Sequence, residues 1–493
     1  MSSLKRPSNA SLAALVRMDR RHVWHPFTQM ADWNRTEPMF LIRGRGAVLE
    51  DARGRTFLDA NSSIWTNLHG HGHPAINRAL RRQAGLVSHV SMLGFANEPA
   101  TRLAAELVRM ARPKRGPTTL QKVFYSDNGS TAMEVALKLA HEHARRARGL
   151  KQARFLALDG AYHGDTIGAV SLGQIDLFHG AYSKLLFPTD KVMAPYCYRC
   201  SFNRAQPERG DARTYRRCGW ECLGKLEQRF ERAAKAQRPV TAFSVEPLMQ
   251  GAAGMIAQPK GWLLRAAEVA RGHGALLIAD EVMTGFGRTG SGTGGETPPP
   301  ALPPRRAPLL ACQVESVQPD LIALAKGLTG GYLPMAATLV TDAIYAEFLG
   351  RYEDFRTFFH GHSFTGNPLG AAAGLANLEL LHAPAASHRR HALEARFARE
   401  LNSLWSCPQV GDVRQVGLVA GVELVRDWTK RTPYALAERA GIRVCEAMRR
   451  RGVLTRPIGS VVVLMPPYCT TNQQLTQMVA ALRESIDEVL GTR

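Results

Sequence analysis

ALLIADEVMTGFGRTG (275–290) and LIALAKGLTGG (321–331) decide the fold. Each opens on an uninterrupted apolar run and stops abruptly at a charge, Asp280 in the first and Lys326 in the second. A strand apolar on both faces must be covered on both faces, the signature of a mainly parallel sheet between helices. The flanking chain repeats the pattern. VFYS (123–126) precedes the helical DNGSTAMEVALKLAHEHA, FLAL (155–158) precedes DGAYHGDT, and AFSVEPL (242–248) precedes the helical WLLRAAEVARGHG; AATLVT (336–341) adds a further strand. Strands alternating with helices predict an α/β fold whose functional groups gather where the strands end, and Glu246, Asp280 and Lys326 all fall there.

The 493 residues are enough for two cores. Residues 76–366 form the expected large domain. Residues 1–75, with strand-like pieces in AVLEDARGRTFLDA (47–60), are expected to join 367–493 in a smaller α+β domain drawn from both termini. Two inserts break the large domain: a cysteine-bearing loop at 197–222, and GSGTGGETPPPALPPRRAP (290–308), whose Gly and Pro density predicts a flexible surface loop.

A composition of 45% hydrophobic and 21% charged residues is that of an ordinary globular protein. No apolar stretch reaches the roughly 18–20 residues of a membrane span, and MSSLKRPSNASLAALVRMDRR (1–21) lacks a secretory core, so a cytoplasmic location is expected. The formal charge of +21 is scattered arginine, densest in HEHARRARGLKQAR (141–154), without aromatic interleaving; neither nucleic acid nor membrane is an expected partner. Of eight cysteines, Cys312, Cys407, Cys445 and Cys469 stand alone. Cys197-x2-Cys200 and Cys218-x3-Cys222, separated by the polar SFNRAQPERGDARTYRR (201–217), have the spacing of a structural zinc site. Reduced surface thiols or a labile disulfide fit the same spacing, and no metal is assigned to the chemistry.

An ammonium and a carboxylate at buried strand ends are costly unless something uses them. Pyridoxal phosphate (PLP) uses both: it takes a lysine amine for its Schiff base and a carboxylate to keep its ring nitrogen protonated. SDNGSTAMEVALK (126–138) reads as a strand end, a turn and a helix start, with Gly129 and Ser130 placed to offer backbone N–H groups to a phosphate. GAYHGDT (160–166) puts an aromatic on a glycine-bounded loop, where it can stack on a flat ring.

These segments, together with HVWHPFTQM (22–30), SSIWTNLHGHGHP (62–74), EPLMQGAAGM (246–255), ALAKGLTGGYLP (323–334) and HGHSFTGNP (360–368), resemble the class III aminotransferases of PLP fold type I, an aspartate-aminotransferase-like architecture. The resemblance covers about residues 20–490 and implies a PLP-dependent transferase. WHPF, SSIW, YHGDT, HGHSFTGN and TRPIGSVVVLMPP (455–467) are similar to the branch that aminates 8-amino-7-oxononanoate to 7,8-diaminononanoate in biotin biosynthesis, with S-adenosylmethionine or lysine as donor. Other class III activities, on ω-amino acids or ornithine, are the alternative.

The resemblance implies roles. Lys326 bonds the cofactor and shuttles a proton, Asp280 pairs with the ring nitrogen, and Tyr162 stacks on the ring. Gly129 and Ser130 hold the phosphate, joined by His362 and Ser363 from a neighbouring subunit, which implies a homodimer with shared active sites. Glu246 and Gln250 lie near the ring's 3-oxygen. Phe27, Ile64, Trp65, Tyr162, Asp165, Lys326 and Gly361 border the substrate, and Arg456 clamps its distal carboxylate. Phe27 stands where many adenosylmethionine users have tyrosine, Ile64 replaces one of a tryptophan pair, and Ile458 and Val463 replace aromatics. That aliphatic wall is similar to the lysine-donor branch and tilts the expected donor towards lysine.

Overall fold

The computed structural model describes residues 6–113, 119–290 and 308–491. Most of the expected 290–308 loop, residues 291–307, lies outside them. Seven strands form the central sheet: β1 (Leu120–Ser126), β2 (Phe155–Leu158), β3 (Asp190–Val192), β4 (Ala242–Val245), β5 (Leu276–Asp280), β6 (Leu321–Leu324) and β7 (Ala336–Thr341). Their order is β1-β7-β6-β5-β4-β2-β3. From β6 across to β3 every pairing is parallel, with Ala279 opposite Val245 and Asp280 opposite Ala323. Only β7 runs against its neighbours β6 and β1. AATLVT is buried along its whole length, so its composition carries no mark of its direction.

The run ALLIA becomes a strand because both faces are covered. Leu277 and Ala279 pack into one core with Trp262, Phe243 and Leu324, while Ile278 packs into a second with Leu321 and Ala336. Each fully buried Leu or Ile contributes about 1.5–3 kcal/mol, enough to carry the polar side chains that end these strands. The strands' carboxyl ends therefore bring Asp127, Tyr162, Glu246, Asp280 and Lys326 to one edge.

The chain ends share a second body. Leu41–Arg45, Val48–Asp51 and Thr56–Asp59 form an antiparallel sheet that Val453–Leu454 joins in parallel beside Thr56–Asp59. Leu58 and Ala60 are buried with Leu393, Phe397, Val422, Val462 and Leu482 of the C-terminal part. The hairpin Val410–Val416 and Val419–Asp427 extends through Val461–Leu464 to Pro457–Ile458. The cysteine segment lies across this hairpin. Arg199 pairs with Glu423, Arg209 donates to the carbonyls of Val410 and Cys407, and Arg213 donates to that of Gln415. It is a strap between the two halves of the molecule rather than a surface excursion.

No helix among the described residues is long and apolar enough to cross a membrane. The basic run at 141–154 ends the helix α1 (Gly129–Arg148), where Arg145 and Arg146 pair with Glu142.

Candidate active site

A cavity of about 440 Å³ opens at the carboxyl edge of the sheet, lined among others by Trp65, Asn128, Ser130, Tyr162, Asp280 and Lys326. Each wall has a local cause. Asp280 terminates β5 and is 5% exposed. Its Oδ1 accepts the Val282 N–H at 3.0 Å, and its Oδ2 lies 2.8 Å from His163 Nδ1. His163 Nε2 lies 3.1 Å from Ser244 Oγ on β4. A carboxylate only accepts, so Nδ1 carries the hydrogen and Nε2 accepts from the serine. A relay across adjacent strands thus fixes one face of the carboxylate.

Lys326 follows β6 after Ala325 and opens a short 3₁₀ turn at φ +41°, a strained setting for a residue with a Cβ. Its Nζ sits 4.7 Å from the centre of the Trp65 ring. Burial pushes the ammonium's pKa down, and the Asp280 and Glu246 carboxylates offset part of that. The result is an amine closer to its nucleophilic form than an exposed lysine. Trp65 reaches it from SSIW, where Ser62, Ser63, Ile64 and Trp65 all have positive φ. That left-handed turn is held by Ser62 Oγ donating to the Met465 carbonyl at 2.7 Å. Nothing in the four residue types announces it.

Glu246 follows β4 directly. Its Oε1 accepts the Tyr162 N–H at 3.1 Å and its Oε2 the Gly251 N–H at 2.8 Å. Burial, with the charge of Asp280 adding to it, pushes its carboxyl up to about 7. The Tyr162 hydroxyl donates to Asp165 Oδ2 at 2.6 Å, and its ring lies near-parallel to His179, 6.0 Å away. His179 touches Phe178, which meets Phe27 edge-on at 5.6 Å, so an aromatic file runs from the mouth to the cavity wall.

The phosphate expectation rests on α1. Asn128 caps the helix, accepting from Thr131 N at 3.0 Å, while the Gly129 and Ser130 amides have no intrahelical acceptor. A Cβ on Gly129 would lie 2.8 Å from Val282 Cγ1, and one on Gly164 would lie 2.0 Å from Ser130 Oγ. The small residues let this helix end close on its neighbours. Ser130 Oγ accepts the Asp165 N–H at 3.1 Å, leaving its hydrogen to donate.

The remaining expected residues are spread wider. His362 Nδ1 lies 3.4 Å from Asp127 Oδ2, and its Nε2 is buried without a partner among the described residues. Gly361 and Ser363 beside it are exposed and do not line the cavity. Gln250 is fully buried, donating to the Asp159 carbonyl at 3.1 Å with its Oε1 unpartnered among the described residues. Ile64 is 43% exposed and outside the lining. Arg456 is exposed and in no ion pair among the described residues; its carbonyl accepts the Val463 N–H at 3.3 Å. Ile458, two residues after Arg456, packs in one apolar cluster with Val463, Met465, Met283 and Trp65, of which Met283 and Trp65 line the cavity. The sequence reading missed His163 as a site residue. The histidine stood in the quoted GAYHGDT, but its apposition to Asp280 is a property of strand order.

These groups fit PLP: a cradle of free amides closed by glycine, a buried carboxylate held by a relay, and a buried lysine. The sequence pattern of the family described as Aminotransferase class-III matches residues 29–486. An adenosylmethionine-8-amino-7-oxononanoate aminotransferase of Geobacter sulfurreducens is 44% identical over 96% of this chain and 97% of its own length. The solved structure of the enzyme of that name from Methanocaldococcus jannaschii superposes with a TM-score of 0.85 at 36% identity, covering 97% of this chain and 99% of that one. An (S)-enantioselective omega-transaminase from Thermomicrobium roseum superposes equally, TM-score 0.85, at 30% identity over 99% of this chain and 100% of that one. Fold, site chemistry and likeness converge: the chain belongs to the class-III aminotransferase family of PLP-dependent enzymes.

Proposed function

We propose that this enzyme aminates 8-amino-7-oxononanoate to 7,8-diaminononanoate, the biotin-pathway step named in its relatives. The observation that carries the reading is the geometry beyond the lysine. Trp65 and Met283 give the cavity around Lys326 an apolar lining that suits an aliphatic chain, and both pack in one cluster with Ile458, two residues from the exposed guanidinium of Arg456, which is in no ion pair among the described residues. A keto acid with several methylenes between its carbonyl and its carboxylate matches an apolar site with a guanidinium beyond it.

Bound PLP supplies the electron sink that makes the α-hydrogen of an amine acidic. The chain's own residues do the rest. Asp280, its direction fixed by the His163–Ser244 relay, would hold a protonated ring nitrogen. Gly129 and Ser130 would take the phosphate at the positive end of α1. Lys326 Nζ would hold the cofactor and, as an amine at the cavity, would carry a proton to and from the substrate. Trp65 covers that amine and keeps water from it. Tyr162 forms the ring's flat neighbour, and Asp165 orients its hydroxyl.

S-adenosylmethionine is the donor in the relatives' names. Lysine is a second reading, favoured by the aliphatic side chains of Ile458 and Val463, which pack in the cluster that includes Trp65. A homodimer with His362 and Ser363 contributed across the interface is part of the proposal. It is supported by exposed apolar residues near His362, including Leu93, Phe359 and Phe364, with His89 and Phe364 in contact at 4.7 Å. A cytoplasmic location follows from the biosynthetic role. The test is an acceptor panel with either donor in excess: 8-amino-7-oxononanoate, simple ω-amino ketones and 2-oxo acids. Turnover of the first alone supports the reading; turnover only of the others moves the chain to the omega-transaminase branch.

A further inference from the structure

The strap that crosses the two halves of the molecule has little regular structure of its own. Between Tyr196 and Trp220 its one regular element among the described residues is the four-residue helix Ala212–Tyr215. Its grip on the C-terminal hairpin comes from arginine side chains, and its far end enters the helix Glu221–Lys235, whose Leu223 and Leu226 belong to the main core. A polar loop of that length folds only if something fixes its ends.

All four cysteines of the strap face one small void. Cys197, Cys200, Cys218 and Cys222 line a space of about 10 Å³, with Asn203, Arg216 and Trp220 around it. That volume is about one atom-sized occupant. None of the four is in a disulfide. Cys197 and Cys222 are buried, and Cys200 and Cys218 are part-exposed. Arg216 Nη1 lies 3.0 Å from Cys218 Sγ, and the charges of Arg216 and Arg213 both act on Cys197. The Trp262 indole N–H is fully buried, has no partner at hydrogen-bond distance, and is directed at the Cys222 sulfur. An N–H donor and the Arg216 guanidinium beside the four sulfurs suit the surroundings of a thiolate–metal centre.

We propose that Cys197, Cys200, Cys218 and Cys222 bind one zinc ion that pins the strap between the two halves of the enzyme. Among the described residues no three ligand side chains already stand at coordination geometry. Binding therefore requires the sulfurs to close on the ion from their positions around the void. Four thiol protons leave as four Zn–S bonds form, giving a centre of charge −2 that Arg216, 3.0 Å from Cys218 Sγ, offsets in part. The reaction's own groups are untouched, because the void is separate from the cavity that holds Lys326.

The test uses the full-length holoenzyme, purified without a metal column, given a small excess of Zn²⁺ and desalted. Elemental analysis should find close to one zinc per chain, and Co²⁺ offered instead should give thiolate-to-metal absorbance. In Cys200→Ser/Cys218→Ser, which spares the two buried cysteines, zinc should fall below about a tenth of an equivalent, since two ligands cannot hold what four do. That variant should keep its transaminase turnover at low temperature but unfold several degrees earlier. Less than half an equivalent on the wild type, a disulfide among the four in the mass spectrum, or zinc undiminished in the variant overturns the proposal.

Discussion

Replacing Arg456 with methionine separates acceptor recognition from every other property of the enzyme. The guanidinium is exposed and in no ion pair among the described residues, so its loss strands no buried partner. Stability should change by no more than about 0.5 kcal/mol, the usual range for such surface changes. The carboxylate of the substrate loses a charge-assisted hydrogen bond worth about 1.5–3 kcal/mol. That converts to a fall of about 10- to 150-fold in kcat/KM for 8-amino-7-oxononanoate. The effect should lie chiefly in KM, because the carboxylate is remote from the reacting carbonyl and is held alike in ground and transition states. The donor half-reaction, followed as loss of the cofactor's visible absorbance without acceptor, should be unchanged. An amino ketone of the same chain length without the carboxylate should be used equally by wild type and variant. An unchanged KM for the keto acid would refute the placing of Arg456 at the substrate's far end. An equal loss on the uncharged ketone would show that the substitution had disturbed the wall at Ile458 instead.

Gly129→Ala puts a methyl 2.8 Å from Val282 Cγ1, well inside contact distance. Overpacking of that kind costs about 1–3 kcal/mol, which predicts PLP affinity about 5- to 150-fold weaker by titration, restored in part by Gly129→Ala/Val282→Ala. Asp280→Ala should keep measurable PLP binding yet lose at least about a hundredfold in turnover, the usual loss on removing a charge that stabilises the transition state. Glu246 sets a pH dependence in the cofactor-free protein. Its folded carboxyl titrates at about 7 against an ordinary 4.5, so its contribution is fully present below pH 4.5 and is lost as pH rises to about 7. Melting curves across that window should show wild type losing on the order of 3 kcal/mol relative to Glu246→Gln; parallel curves would contradict it.

What could be read from the residues was whatever composition forces. Asp280 and Lys326 end runs too apolar to be anything but buried strands, and a charge at such an end must serve something. Their shared cavity follows from parallel strands alone. The direction of β7 was not legible, since a strand buried on both faces looks the same either way. The left-handed turn at Ser62–Trp65 was hidden because its support is a carbonyl from Met465, at the other end of the chain. His163 was visible as a residue but not as the partner of Asp280. Gln250, placed by resemblance near the ring, is buried, with its amide nitrogen donating to the Asp159 carbonyl and its Oε1 without a partner among the described residues. The cysteine segment read as a loop because it is polar; its grip on the C-terminal hairpin depends on arginines whose acceptors are the Glu423 carboxylate and backbone carbonyls distant in sequence.

The central claim is that this cavity moves an amino group onto 8-amino-7-oxononanoate through Lys326. A single-turnover measurement tests it most directly. Enzyme converted wholly to the aminated cofactor is mixed with 8-amino-7-oxononanoate alone, and the product is identified by mass. Wild type should give close to one 7,8-diaminononanoate per chain as the visible absorbance of the lysine-bound cofactor returns, and Lys326→Ala should give neither. Product formed at the wild-type rate by Lys326→Ala, or no product from wild type that turns over other ketones, would contradict it.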